Sequence, residues 1–238
     1  PGNAGTNGAG SGHARVYQNV AGAWTQIGAD IDGEAAGDGS GSSVGISADG
    51  SNVVIGAPFN SGTNGPVSGH ARVYENLAGT WTQVGADIDG EAAGNLSGWS
   101  VGISADSSHV VIGAPFNGSD SGHARVYQNV AGAWTQVGAD IDGEAAGDWS
   151  GNSVDISADG STVVIGATRN DGVNGADSGH ARVYQNVAGA WSQVGEDIDG
   201  EAAGDGSGHS VGISADGGTV VIGAPFSTGG AGHARVYE

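Results

Sequence analysis

The sequence predicts an all-β chain, folded as a β-propeller of four blades with four antiparallel strands in each. Three observations carry this expectation. First, the phrase "GHARVY" places histidine at positions 13, 70, 123, 180 and 233, at spacings of 57, 53, 57 and 53 residues. The repeat unit is therefore about 55 residues, and two units form a 110-residue super-repeat. Second, each unit holds four short segments rich in Val, Ile, Thr, Tyr and Trp, parted by Gly, Asp, Asn and Ser. β-Branched and aromatic residues suit a pleated surface, and the separating residues suit turns. Third, no stretch has helical periodicity; "GEAAG" is too short and too glycine-bounded to nucleate a helix. Four strands in a period near 50 is the signature of a propeller blade. The coils of a parallel β-solenoid repeat over shorter lengths, roughly 20–30 residues.

The elements of one unit follow in order. Residues 44–47 ("VGIS") set small Gly45 and Ser47 beside Val44 and Ile46, as an innermost strand crowded at an axis needs. "ADGS" then turns the chain. Residues 52–57 ("NVVIGA") are almost continuously apolar, as expected of a strand covered on both faces. A loop of variable length comes next, "NSGTNGPVSGH" in the long form and "NGSDSGH" in the short one. Residues 71–76 ("ARVYEN") form the third strand, and alternation puts His, Arg and Tyr on one face and Ala and Val on the other. After "LAG", residues 81–85 ("WTQVG") are the fourth strand, followed by the acidic loop "ADIDGEAAGNLSG".

The whole chain, 1–238, reads as a single domain with units at about 13–69, 70–122, 123–179 and 180–232 and a partial fifth copy at 233–238. The last unit lacks its outer strand. Residues 24–28 near the N-terminus are expected to supply it and close the ring between the two chain ends. Residues 14–19 and 234–238 then compete for one third-strand slot. "PGNAGTNGAGSGH" at the start matches "PFNSGTNGPVSGH" from Pro58, so the chain reads as a segment of a longer tandem array.

Composition narrows the function. There are 26 acidic residues, six Arg and no Lys, for a formal charge of −20. Such a surface repels nucleic acid and anionic membranes and favours bound cations or a screening, high-salt medium. Without cysteine there is no disulfide framework. No apolar run approaches the roughly 20 residues of a membrane span, so membrane insertion is not expected.

The acidic loops are the strongest candidate site. They present Asp30, Asp32, Glu34 and Asp38; Asp87, Asp89, Glu91 and Asn95; Asp140, Asp142, Glu144 and Asp148; and Asp197, Asp199, Glu201 and Asp205. Carboxylates at i, i+2 and i+4 beside a glycine suit a hard, oxygen-seeking cation such as Ca²⁺. The competing reading is that these aspartates cap turns and keep a glycine-rich surface soluble. Arg15, Arg72, Arg125, Arg182 and Arg235 are expected to pair with carboxylates of the same loops. The repeated histidines lack a second histidine at metal-ligand spacing and give no zinc pair. Trp24, Trp81, Trp134 and Trp191 recur in register and are expected to pack between blades. Trp99 and Trp149 break the register, and an indole of that kind stacks on sugars or partner surfaces. Asn95 ("NLS") and Asn117 ("NGS") fit the N-glycosylation pattern. No G-x-S-x-G elbow occurs. Catalysis needs different residues at one site and breaks internal symmetry, whereas these units stay nearly identical. An enzyme is therefore not expected.

The words "SVGISADGSNVVIGAPF…SGHARVYE" resemble the FG-GAP repeat of integrin-alpha-type propellers, and "IGAP" recurs at Ile55, Ile112 and Ile222. The resemblance spans each unit. The family's calcium turn is D-x-D-x-D-G, but here it reads "SADGS" with one carboxylate, Asp49, so that site is not carried over. The resemblance implies a structural or adhesive module, extracellular or at the cell surface, partnered by other copies of itself or by the rest of a longer repeat protein. A glycan-binding propeller is the alternative.

Overall fold

The computed structural model describes residues 1–3 and 5–238. The first partial unit gives β1 (His13–Ala14), β2 (Tyr17–Val20), β3 (Ala23–Gln26) and β4 (Ile31–Asp32), with β1 paired to β4 and β2 to β3. Each later unit folds into one antiparallel sheet. In the first, β5 (Ser43–Ile46), β6 (Asn52–Ala57), β7 (His70–Leu77) and β8 (Thr80–Gln83) lie in chain order, and β9 (Ile88–Asp89) also pairs with β7. The second repeats this with β10 (Ser100–Ile103), β11 (His109–Ala114), β12 (His123–Val130), β13 (Ala133–Gln136) and β14 (Ile141–Asp142). The third does so with β15 (Ser150–Ile156), β16 (Thr162–Ala167), β17 (His180–Val187), β18 (Ala190–Gln193) and β19 (Ile198–Asp199). The last sheet has only β20 (Ser210–Ile213), β21 (Val220–Ala224) and β22 (His233–Tyr237).

The strand–turn–strand core of each blade forms for a local reason. In "SADGS" one oxygen of Asp49 accepts hydrogen bonds from Ser47 Oγ (2.8 Å), Ser51 N (2.9 Å) and Ser51 Oγ (2.7 Å). That carboxylate is used up in closing the β5–β6 hairpin. The outer edge holds a feature the sequence reading left inside the acidic loop. Beyond β8 the chain bulges and rejoins the edge of β7, where His70 opposes Asp89 and Ala71 opposes Ile88. The step fixes the start of the acidic loop against the repeated histidine.

Blades stack through their faces. Val54, Ala71 and Val73 of the first blade pack on Val101, Val110, Ile112 and Tyr127 of the second, and the equivalent cluster recurs at the next junction. Burying this apolar surface is the main force holding blade to blade. Directional bonds fix the register. Trp81, Trp134 and Trp191 donate their indole N–H to Ile27, Val84 and Val137 carbonyls of the preceding unit, at 2.7–2.8 Å. The hairpin turns form a chain, with Ala48 N bonded to Ala105 O, Ala105 N to Ala158 O and Ala158 N to Ala215 O.

The expected ring closure does not form among the described residues. β3, which contains Trp24, pairs only with β2, and the last sheet ends at β22. The slot beside β21 is taken by the chain's own C-terminal copy, with Val220 opposite Tyr237. A local strand wins over one that must return from the other end of the chain, because less loop entropy is lost. Trp24 is 71% exposed. The other three repeated tryptophans pack as expected.

Candidate functional site

The acidic loops and the third strands meet at the blade junctions. The four carboxylates of one loop do not converge on a common point. They go to four different places, each set by its position. The last, Asp38, Asp148 or Asp205, is buried and caps its own turn, accepting from the N–H of Ala35, Ala145 or Ala202. The second takes a threonine hydroxyl of the long loop, Thr6 on Asp32 and Thr63 on Asp89. Its copies Asp142 and Asp199 hold the same strand position, and burial and then Asp197 raise the Asp199 pKa. The first, Asp30, Asp87, Asp140 or Asp197, accepts from the glutamine at the end of the fourth strand. Asp30 is also bonded by Arg15; that arginine first, then Gln26, lowers its pKa to about 2.

The third carboxylate crosses to the next unit. Glu34 Oε1 lies 3.4 Å from Arg72 Nη1, and its Oε2 lies 4.0 Å from His70 Nδ1. Asp87, from the loop after His70, brings Oδ2 to 3.7 Å from the same nitrogen. The arrangement repeats at Glu91, His123, Asp140 with Arg125, and at Glu144, His180, Asp197 with Arg182. At the last junction Glu201 pairs with Arg235 and approaches His233. All five repeated arginines thus meet loop carboxylates, as their sequence positions predicted.

His70, His123 and His180 are each only 1% exposed. Neither ring nitrogen of His123 or His180 has a hydrogen-bond partner. Burial, and next the neighbouring arginine, push all three imidazoles below the ordinary histidine pKa, against the upward pull of the carboxylates. Each of these three junctions therefore sets a buried imidazole against two carboxylates. In each of the three groups the ligand atoms lie within 4.8 Å of one another. Sequence spacing concealed these groups because their members come from two units. The repeated histidine with "DIDGE" on either side was the available signal.

A second feature lies where "GAPF" ends its strand. Trp99 and Trp149 are brought together by Phe116, with ring centroids 5.7 and 5.0 Å from it, and Phe59 continues the row 6.5 Å from Trp99. The guanidinium of Arg169 sits 3.8 Å over the Trp149 ring. Both tryptophans, Arg169, His209 and Phe226 line a groove of about 460 Å³. Of the two glycosylation candidates, Asn95 is buried and Asn117 lies half-buried in the short loop.

Residues 139–184, from β14 of the second sheet into β17 of the third, match the FG-GAP repeat. That segment is similar to an FG-GAP repeat. The match ends at residue 184, inside β17, and the other units repeat its words with few changes. No curated protein matches the sequence. Among solved structures, the hydrazine synthase of Kuenenia stuttgartiensis is 15% identical with a TM-score of 0.49, over 78% of this chain and 42% of that one. TolB from Acinetobacter baumannii is 12% identical with a TM-score of 0.49, over 90% of this chain and 47% of that one. The chain therefore spans less than half the length of either. Among the described residues, no helix is long and apolar enough to cross a membrane.

Proposed function

We propose that this FG-GAP-like chain is a non-enzymatic structural module of an extracellular or cell-surface protein, extended by packing further blades onto its two ends. One observation carries the reading: the end faces are the two halves of the interior blade interface. Val44 and Ile46 on the first blade are 59% and 55% exposed, whereas Val101 and Ile156, at the same positions further in, are 7% and 6% exposed. At the other end Val221 is 42% exposed, while Val54, Val111 and Val164 are fully buried. Beside Val44 and Ile46, the edge formed by Ala14, Arg15, Val16 and Tyr17 walls an apolar slot with Val53 and Ile55 as its floor. In every interior blade that place is filled by a "VVIGA" strand.

The contact between such ends is heterologous, so it builds a filament unless it closes. This reading takes an open run of blades in place of the closed four-bladed ring. Sedimentation equilibrium over a concentration series tests it. The parent chain should self-associate, and either Ile46→Asp at one end or Val221→Asp at the other should abolish association. A parent that stays monomeric at millimolar concentration refutes the proposal.

The aromatic groove favours a second reading, glycan binding, because indole faces stack on sugar rings. Sugar binding on a glycan array that is lost in Trp149→Ala would support it; no binding would leave the structural reading alone.

A further inference from the structure

We propose that the three interior blade junctions are divalent-cation sites of the zinc type. They are formed by Glu34, His70 and Asp87; by Glu91, His123 and Asp140; and by Glu144, His180 and Asp197. The acidic side chains alone would not make this case. The second observation is the imidazole. Nδ1 of His123 is buried, has no hydrogen-bond partner, and faces Asp140 Oδ2 at 3.7 Å and Glu91 Oε2 at 3.9 Å. Nδ1 of His180 is equally unpartnered and faces Asp197 Oδ2 at 3.8 Å and Glu144 Oε2 at 3.9 Å. A buried polar atom left without a partner is costly and calls for a missing ligand. A cation between the three atoms satisfies the nitrogen lone pair and both carboxylates together.

The geometry is close to that of a bound ion. Metal–ligand bonds of about 2.0–2.2 Å in a tetrahedral site put ligand atoms roughly 3.4 Å apart. The histidine-to-carboxylate distances, 3.7–4.0 Å, need closing by about half an ångström, and the two carboxylate oxygens, which lie within 4.8 Å of each other, by up to about 1.4 Å. The glutamates are half exposed and free to make that movement. Each arginine holds the other glutamate oxygen, Oε1; at Glu34 and Glu91 this leaves Oε2 to the ion, while Oε2 of Glu144 also accepts from Asn170 Nδ2 at 3.5 Å.

Donor chemistry selects the metal. Ca²⁺ takes six to eight oxygens, whereas one imidazole with two carboxylates suits a borderline ion such as Zn²⁺. The site thus replaces the single-loop calcium site that the carboxylate spacing predicted. Its ligands come from both sides of a junction, so a bound ion ties neighbouring blades together. The inference is independent of how the chain ends associate.

The test uses the full chain, stripped by chelation and dialysis, and titrated calorimetrically with Zn²⁺ and, separately, with Ca²⁺. Saturable uptake of three Zn²⁺ per chain is expected, undisturbed by equimolar Ca²⁺, with a melting temperature that rises with free Zn²⁺. Glu91→Gln should lower the stoichiometry to two, and Glu34→Gln with Glu91→Gln and Glu144→Gln should abolish uptake. These glutamates lie at the surface, so far-UV circular dichroism should stay unchanged; the single variant serves if the triple one unfolds. Absence of saturable Zn²⁺ uptake, preference for Ca²⁺, or a stoichiometry unmoved by the glutamine variants overturns the proposal.

Discussion

Gly113→Ala and Gly223→Ala make the same chemical change at the same place in the same word, "VVIGAP". One lies inside the run of blades and the other at its end. A Cβ at Gly113 would fall well inside 3.0 Å of the Gly151 carbonyl oxygen in the next blade, a separation that real Cβ atoms essentially never show. Both walls are backbone, so neither can rotate away. Relief requires the blades to part by about 1.4 Å, given contact distances of roughly 3.5 Å. That movement loosens the buried bond from Ser100 Oγ to Gly151 O, now 2.7 Å. Overpacking of this kind costs about 3 kcal/mol. For a chain of this size, that corresponds to a fall in melting temperature of roughly 6–12 °C. At Gly223 no following blade is present, and a Cβ there meets only the rotatable hydroxyl of Ser210. The equivalent hydroxyl, of Ser100, also faces Gly113, so this contribution cancels between the two variants. Thermal unfolding followed by circular dichroism, at concentrations low enough to prevent association, should show a large shift for Gly113→Ala and almost none for Gly223→Ala. Equal shifts would mean that blade-to-blade contact is not what makes the glycine necessary.

The repeated tryptophans allow a parallel comparison. Trp134→Phe removes the 2.8 Å bond to the Val84 carbonyl and should destabilise by about 1–3 kcal/mol in urea unfolding, whereas Trp24→Phe, at an exposed position, should stay within about 0.5 kcal/mol of the parent. The pH dependence of stability, measured in chelator, should have two parts. His70, His123 and His180 titrate below their unfolded value of about 6.5. For His70 the facing charges are Arg72, which lowers its pKa further, and Asp87, Glu34 and Asp89, which raise it. The unfolded chain therefore binds more protons, and stability should fall as pH drops below about 6.5, by up to roughly 1.4 kcal/mol per pH unit for each histidine. The turn carboxylates Asp49, Asp106, Asp159 and Asp216 have lowered pKa values, about 2 for Asp49, because hydrogen bonds hold them ionised. Their stabilisation is complete above their ordinary value and should be lost as pH falls from about 4 towards 2. A flat stability profile between pH 7 and 5 would contradict the histidine part.

The sequence by itself determined the unit. Its period, its strand–turn alternation and its near-identity from copy to copy follow from local chemistry: β-branched runs, glycine turns and the Asp49-type cap need only neighbouring residues. The pairing of Arg72 and its copies with the "DIDGE" loops was legible for a related reason, since five cations among so many carboxylates have few other partners. Two things were decided only in three dimensions. One is how the run ends. The sequence offered two strands for one slot beside β21, and the nearer took it, leaving Trp24 exposed and the ring open. The other is which loop residues meet. Spacing along "DIDGE" predicts one calcium loop, yet strand alternation and the β7–β9 step send successive carboxylates to a glutamine, a hydroxyl, the next blade and a turn. His70, His123 and His180 meet Glu and Asp from opposite sides of a junction because blade faces press together to bury their valines. No local word in the chain encodes that contact.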